Sequence, residues 1–76
     1  MNDLQKELLS YFKENEYAFN PYLLREPLNI DHYTLRRNIQ YLAQKGFLEH
    51  KGYQTHINKL LPLYQITKKG RKSSKK

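Results

Sequence analysis

The sequence predicts a small α+β domain, three helices followed by a β-hairpin, on three observations. Asp31 to Glu49 (DHYTLRRNIQYLAQKGFLE) reads as a capped helix running into a strand, aliphatic on one side and rich in cations and amides on the other. Two earlier stretches, each opening on an asparagine, carry helical start signals of their own. After Gly46 the apolar spacing changes from helical to alternating. A chain of 76 residues is one domain with a marginal core, so most of its apolar side chains are needed for packing.

Asn2 is placed to cap a first helix whose apolar stripe is Leu4, Leu8, Tyr11 and Phe12. The stripe fades near Asn15, and Tyr17, Ala18 and Phe19 are expected as a short extended piece. Asn20 then Pro21 is a cap followed by proline at the first helical position, where no amide is needed. This short helix is expected to stop by Glu26, because Pro27 disfavours helical geometry in the residue before it, and Pro27 to Ile30 is expected as a turn. Asp31 caps the long helix. Gly46 ends it, with Lys45 in the last turn complementing the helix dipole. Phe47 to Lys51 and Leu63 to Thr67 read as strands with Leu48, Tyr64 and Ile66 inward. Between them, Gly52 to Pro62 is expected as a long loop with an apolar patch at Ile57, Leu60 and Leu61. The domain therefore spans residues 1–67. Residues 68–76 (KKGRKSSKK) hold no apolar side chain and are expected as a disordered basic tail.

Charge is distributed unevenly. The net charge of +7 divides into −2 over residues 1–19, +3 over residues 20–67 and +6 over the last nine residues. The first helix is thus expected to point away from any polyanion, and the rest of the chain toward one. Cysteine is absent, which excludes disulfides and thiolate metal sites. The N-terminus lacks the apolar core of a secretory signal, and no run is long enough to cross a bilayer, so a cytoplasmic location is expected.

Within the long helix, Leu35, Ile39 and Leu42 recur at helical spacing and are expected to bury together. Tyr33, Arg36, Arg37, Gln40 and Gln44 recur on the opposite side, with no carboxylate among them. Guanidinium groups and amides in such a row suit hydrogen bonding to base edges and phosphates. Arginine pairs with guanine or clamps phosphate, Gln40 suits adenine, and Tyr33 suits a thymine methyl or a phosphate.

At residue level, LREPLNIDHYTLRRNIQYLAQKGFLE resembles the pattern of the winged helix-turn-helix family of DNA-binding transcriptional regulators. Leu24, Leu28 and Ile30 fall on the apolar positions of its turn, Asp31 on its helix cap, Leu35, Ile39 and Leu42 on its helix core, and Lys45-Gly46-Phe47-Leu48 on the entry to its wing. YQITKKGR (Tyr64 to Arg71) is similar to the segment that closes the wing in many of these regulators. The resemblance covers roughly residues 2–71. It implies a winged helix fold and sequence-specific binding of double-stranded DNA by a recognition helix over residues 31–45. Three departures stand beside it: a longer wing loop, a basic tail in place of the helix that often follows the wing, and no effector domain. Dimerisation and ligand sensing are therefore not carried over, although a palindromic operator would imply a homodimer.

The other candidate contacts follow from placement and charge. Asn20, Tyr22 and Arg25 surround the start of the second helix, where free amides suit a phosphate, although a plain cap explains Asn20 as well. His32 lies at the start of the long helix, and Tyr41 at the edge of its outward face, where it suits packing. Lys51 and Lys59 on the wing, and Lys68, Lys69 and Arg71 in the tail, are expected to add backbone contacts and non-specific affinity. The rival to DNA binding is a protein-interaction module using Ile57, Leu60 and Leu61. A binder of RNA or single strands needs exposed aromatic platforms, for which Tyr33, Tyr41 and Tyr53 are the candidates. No enzyme activity, cofactor or small-molecule ligand is expected: there is no phosphate-cradling glycine loop or nucleophile motif, and His32, His50 and His56 lack the companions of a metal site.

Overall fold

In the computed structural model, which describes residues 1–73, helix α1 spans Asp3–Glu14. Asn2 caps it through a reciprocal pair: its side chain accepts from the Gln5 amide at 2.8 Å, and the Gln5 side chain accepts from the Asn2 amide at 3.1 Å. Leu8 and Phe12 are buried as the spacing predicts, but the core face is turned toward Leu9, with Leu4 and Tyr11 only half-buried at its edges. Gln5 joins that face because its side-chain amide donates to Asn38 Oδ1, at 2.9 Å, on the long helix.

After α1 the chain runs extended, and Phe19 forms a single antiparallel bridge with Tyr64, each amide donating to the other's carbonyl. A 3₁₀ turn over Pro21–Leu24 leads directly into helix α2, Arg25–Leu28. Helical geometry thus continues through Pro27, which corrects the expected stop at Glu26. The change from 3₁₀ to α restarts the helix at Arg25, so Pro27 sits in a first turn whose amides need no intrahelical partner. Asn29, left-handed at φ 53°, ends α2; its amide donates to Glu26 O and that of Ile30 to Arg25 O.

Helix α3, His32–Gln44, is capped by Asp31, whose carboxylate accepts from the Thr34 amide at 3.1 Å. It ends at Gly46, where φ is 85° and the Gly46 and Phe47 amides return to the carbonyls of Ala43 and Leu42. Leu35, Ile39 and Leu42 are buried, as expected, and close the core with Leu8, Leu9, Phe12, Leu24, Leu48 and Ile66.

The hairpin is longer, and its loop shorter, than the sequence suggests. Strands β1, Leu48–His56, and β2, Lys59–Ile66, are antiparallel and joined by two residues, Ile57 and Asn58, both at positive φ. Lys51 and Gly52 together face one residue of β2, a bulge that Gly52 accommodates at φ 106°. Pairing then resumes with Tyr53 opposite Pro62. Proline is tolerated there because residues two apart share an edge: Tyr64 turns its amide to Phe19, so the amide that Pro62 lacks would also point away from β1.

The expected tail is ordered over its first part. Lys68–Ser73 form helix α4, and residues 74–76 of the tail lie outside the described ones. Thr67 explains the change. Its amide donates to Phe47 O at 3.0 Å, its hydroxyl donates to Gly46 O at 2.6 Å, and the same oxygen accepts from the Gly70 amide at 3.0 Å. Gly70 is buried against Phe47 and Ile66, which composition alone does not reveal. The molecule is therefore α+β, four helices and one two-stranded antiparallel sheet among the described residues.

Candidate nucleic-acid interface

Opposite the buried trio of α3 stand Tyr33, Arg37, Gln40 and Gln44, all exposed, with Arg36 exposed to one side. Helical rotation dictates this: at about 3.6 residues per turn, positions 33, 37, 40 and 44 return to one line. Tyr33 is 63% exposed, and the Arg37 guanidinium lies 5.7 Å from its ring centroid. Among the described residues no carboxylate pairs with Arg36 or Arg37, the one ion pair being Lys51 to Glu49 at 3.8 Å on the hairpin.

The two arginines diverge. Arg37 lines a recess with Asn2, Gln5, Thr34 and Asn38 at the seam of α1 and α3. Arg36 lies on the side of Tyr22, where its charge stabilises the phenolate. Burial is the larger influence on Tyr22 and raises its pKa above the ordinary value; Tyr64 adds to the rise and Arg36 opposes it. The Tyr22 ring is half-buried and stacks on His32, with centroids 4.7 Å apart and planes at 20°. The start of α3 is thereby packed on the preceding turn, with Tyr22 and His32 side by side. The Asp31 carboxyl beside them is held below its ordinary pKa by hydrogen bonds from Thr34, side chain and then backbone, with Arg25 adding a smaller attraction.

At the start of the second helix, the groups expected to meet a phosphate are bonded within the chain. Asn20 is buried and its side chain accepts from the Tyr22 amide at 3.0 Å. The Leu23 amide donates to Asn20 O, and Pro21 has none to offer. Asn20 serves as the cap of this turn. Arg25 is exposed and lines an open cleft of about 530 Å³ with Tyr22, Leu23, Glu26, Asn29 and Ile30.

On the hairpin, Lys51 is shared with Glu49, while Lys59 is exposed beside the turn. His50 is held between the Tyr53 and Tyr64 rings, at 4.8 and 5.2 Å. Tyr41 is half-buried and packs on the core with the Lys45 ammonium 5.5 Å from its ring centroid. Lys68 and Arg71 are exposed on α4. Lys69, also exposed, lies along Gly46 and 5.5 Å from the Phe47 ring centroid, at the C-terminal end of α3. The α4 cations therefore sit at the opposite end of α3 from Tyr22 and His32, about 20 Å away along a helix of this length.

One positioning pair is not apparent from the apolar spacing. Asn38 donates to Thr34 O at 2.7 Å and accepts from Gln5, which ties α3 to α1 by a polar link at the edge of the core. Its only trace in the sequence is Gln5, three residues after the capping Asn2 and on the helical face that turns inward.

No described helix is long and apolar enough to cross a membrane. Comparison with protein-family models, with curated proteins and with solved structures finds no match.

Proposed function

We propose that this chain is a winged helix DNA-binding protein that acts as a small transcriptional regulator. The observation that carries the reading is the outward face of α3, where Tyr33, Arg36, Arg37, Gln40 and Gln44 stand exposed, with no carboxylate paired to either arginine among the described residues, above a fully packed apolar side. A convex helix with that chemistry fits the major groove, where arginine and glutamine distinguish guanine and adenine by paired hydrogen bonds. Tyr22, Arg25 and His32 flank the start of the helix and serve the phosphate backbone. The hairpin is the wing, with Lys51 and Lys59 facing the flanking backbone. Regulation is by occupancy: the bound protein blocks or recruits polymerase. It is a binding protein rather than an enzyme, and it works in the cytoplasm. A palindromic preferred site would make it a dimer on DNA.

The test is in vitro selection from random duplexes with the wild type and with R36A/R37A. Wild type is expected to enrich a defined sequence. The double variant should lose the preference, at about 1–3 kcal/mol for each base pairing removed, while keeping its fold. An unchanged preference in the variant removes α3 as the reading element. The exposed Ile57 and Leu60 favour the rival, a protein-docking wing, which amide shifts at residues 57–61 with a protein partner and none at residues 33–40 with duplex would establish.

A further inference from the structure

The distal hairpin combines three features. Three large apolar or aromatic side chains stand exposed on it among polar ones: Ile57 is 77% exposed, Leu60 68% and Tyr53 62%. Its apex is a two-residue turn in which a β-branched side chain, Ile57, is held at φ 46°, followed by Asn58 at 62°. Only glycine, asparagine and aspartate adopt that region readily, so an isoleucine there marks a position where the side chain matters more than the ease of the turn. Finally, no acid occurs anywhere from His50 to the end of the chain, while Lys51 and Lys59 lie in the hairpin and His56 adjoins its turn.

Register defines the shape. Leu48, His50, Tyr64 and Ile66 occupy one ribbon face at the base, and beyond the bulge Tyr53, Pro62, Thr55 and Leu60 continue it. The base of that face packs on the helices, whereas residues 53–60 are exposed throughout. The apex is thus a narrow convex tip with one apolar side chain at its point and a lysine behind it. Such a tip offers a protein partner little of the broad flat area that stable docking uses. Its charge also opposes a second copy of the same chain.

We infer that Ile57 is a wedge that enters the minor groove of duplex DNA and partly unstacks a base step, bending the duplex at the wing. The inference rests on the reading of α3 as the major-groove element. Isoleucine is among the apolar side chains that serve as minor-groove wedges, and flanking cations hold the phosphates on either side. Reach is sufficient. At about 3.3 Å per residue, β1 extends roughly 30 Å, more than the half-turn of duplex, about 17 Å, between a major groove and the neighbouring minor groove. Asn58 beside the wedge brings an amide to the acceptors on the groove floor.

The experiment uses the full chain and a duplex recovered by selection, carrying dyes at its ends and 2-aminopurine at the step beneath the wing. Ile57→Gly is the variant of choice, because glycine adopts the positive φ freely and preserves the turn while deleting the wedge. Wild type is expected to shorten the end-to-end distance and raise 2-aminopurine fluorescence at least twofold. I57G should still bind the same sequence with the duplex straight and the fluorescence at its unbound level. Ile57→Leu should bend as wild type does. A wild-type complex with an unbent duplex, or an I57G complex bent like the wild type, overturns the wedge while leaving α3 as the reader. Selection that recovers no sequence removes both. Amide shifts at residues 57–60 produced by an acidic peptide and not by duplex would reassign the tip to protein docking and overturn the wedge.

Discussion

Replacing Gly70 by alanine distinguishes a docked basic helix from a free basic tail. A methyl group at Gly70 would stand 2.3 Å from the Phe47 carbonyl oxygen and 2.8 Å from Ile66 Cγ1. Carbon contacts relax only at about 3.5 Å, so α4 must withdraw by roughly 1 Å. The obstacle is backbone and a buried side chain, neither of which can swing aside. Overpacking of this kind costs about 1–3 kcal/mol, and alanine recovers up to about 1 kcal/mol by its better helix propensity. A contact as short as 2.3 Å to backbone puts the cost at the upper end of that range, so the net loss is about 2 kcal/mol, and a domain of this size loses roughly 4–8 °C in Tm per kcal/mol. Thermal melting followed by circular dichroism is the assay. Thr67→Val is the companion variant. It keeps the shape and removes the hydroxyl that bonds both Gly46 and Gly70, with a loss of about 1–2 kcal/mol. A free tail would leave the Tm of G70A unchanged or raised, and that result would refute the docking of α4.

Asn38→Ala leaves the Gln5 side-chain amide without its partner at the edge of the core, and should cost about 1–2 kcal/mol, read as a lower urea midpoint; an unchanged midpoint would mean water replaces the bond at no cost. Asp31 has a folded pKa below its unfolded value, so its contribution is complete above about pH 4 and disappears as pH falls through the folded pKa. Asn at position 31 keeps a capping oxygen without titrating, so D31N should have the flatter stability profile on the acid side, and identical profiles would contradict the assignment. For the DNA complex, K68Q/R71Q should reduce the slope of log K against log salt by about 0.9 for each phosphate that is no longer neutralised. A slope equal to that of the wild type would place α4 off the duplex, as its position at the far end of α3 permits.

Local signals determine much of this molecule. Asn2, Asp31 and Gly46 mark helix ends that depend on one side chain or one backbone conformation, and each is legible because capping acts over three or four residues. The burial of Leu35, Ile39 and Leu42, and with it the exposure of Arg36, Arg37 and Gln40, follows from helical rotation alone.

What the sequence could not decide depends on partners distant along the chain. Strand pairing through residues 53–62 needs one strand to support the other past a bulge, so a polar stretch with Gly52 reads as loop until its partner is known. Asn20 reads as a cap from its place before Pro21, but its burial depends on the surrounding core, which local sequence does not reveal. Residues 68–73 have no apolar side chain with which to announce packing. Their helix exists because Thr67 bonds to Gly46 and because Gly70, having no side chain, lets the backbone close on Phe47; a residue that packs through the absence of atoms leaves no trace in hydropathy.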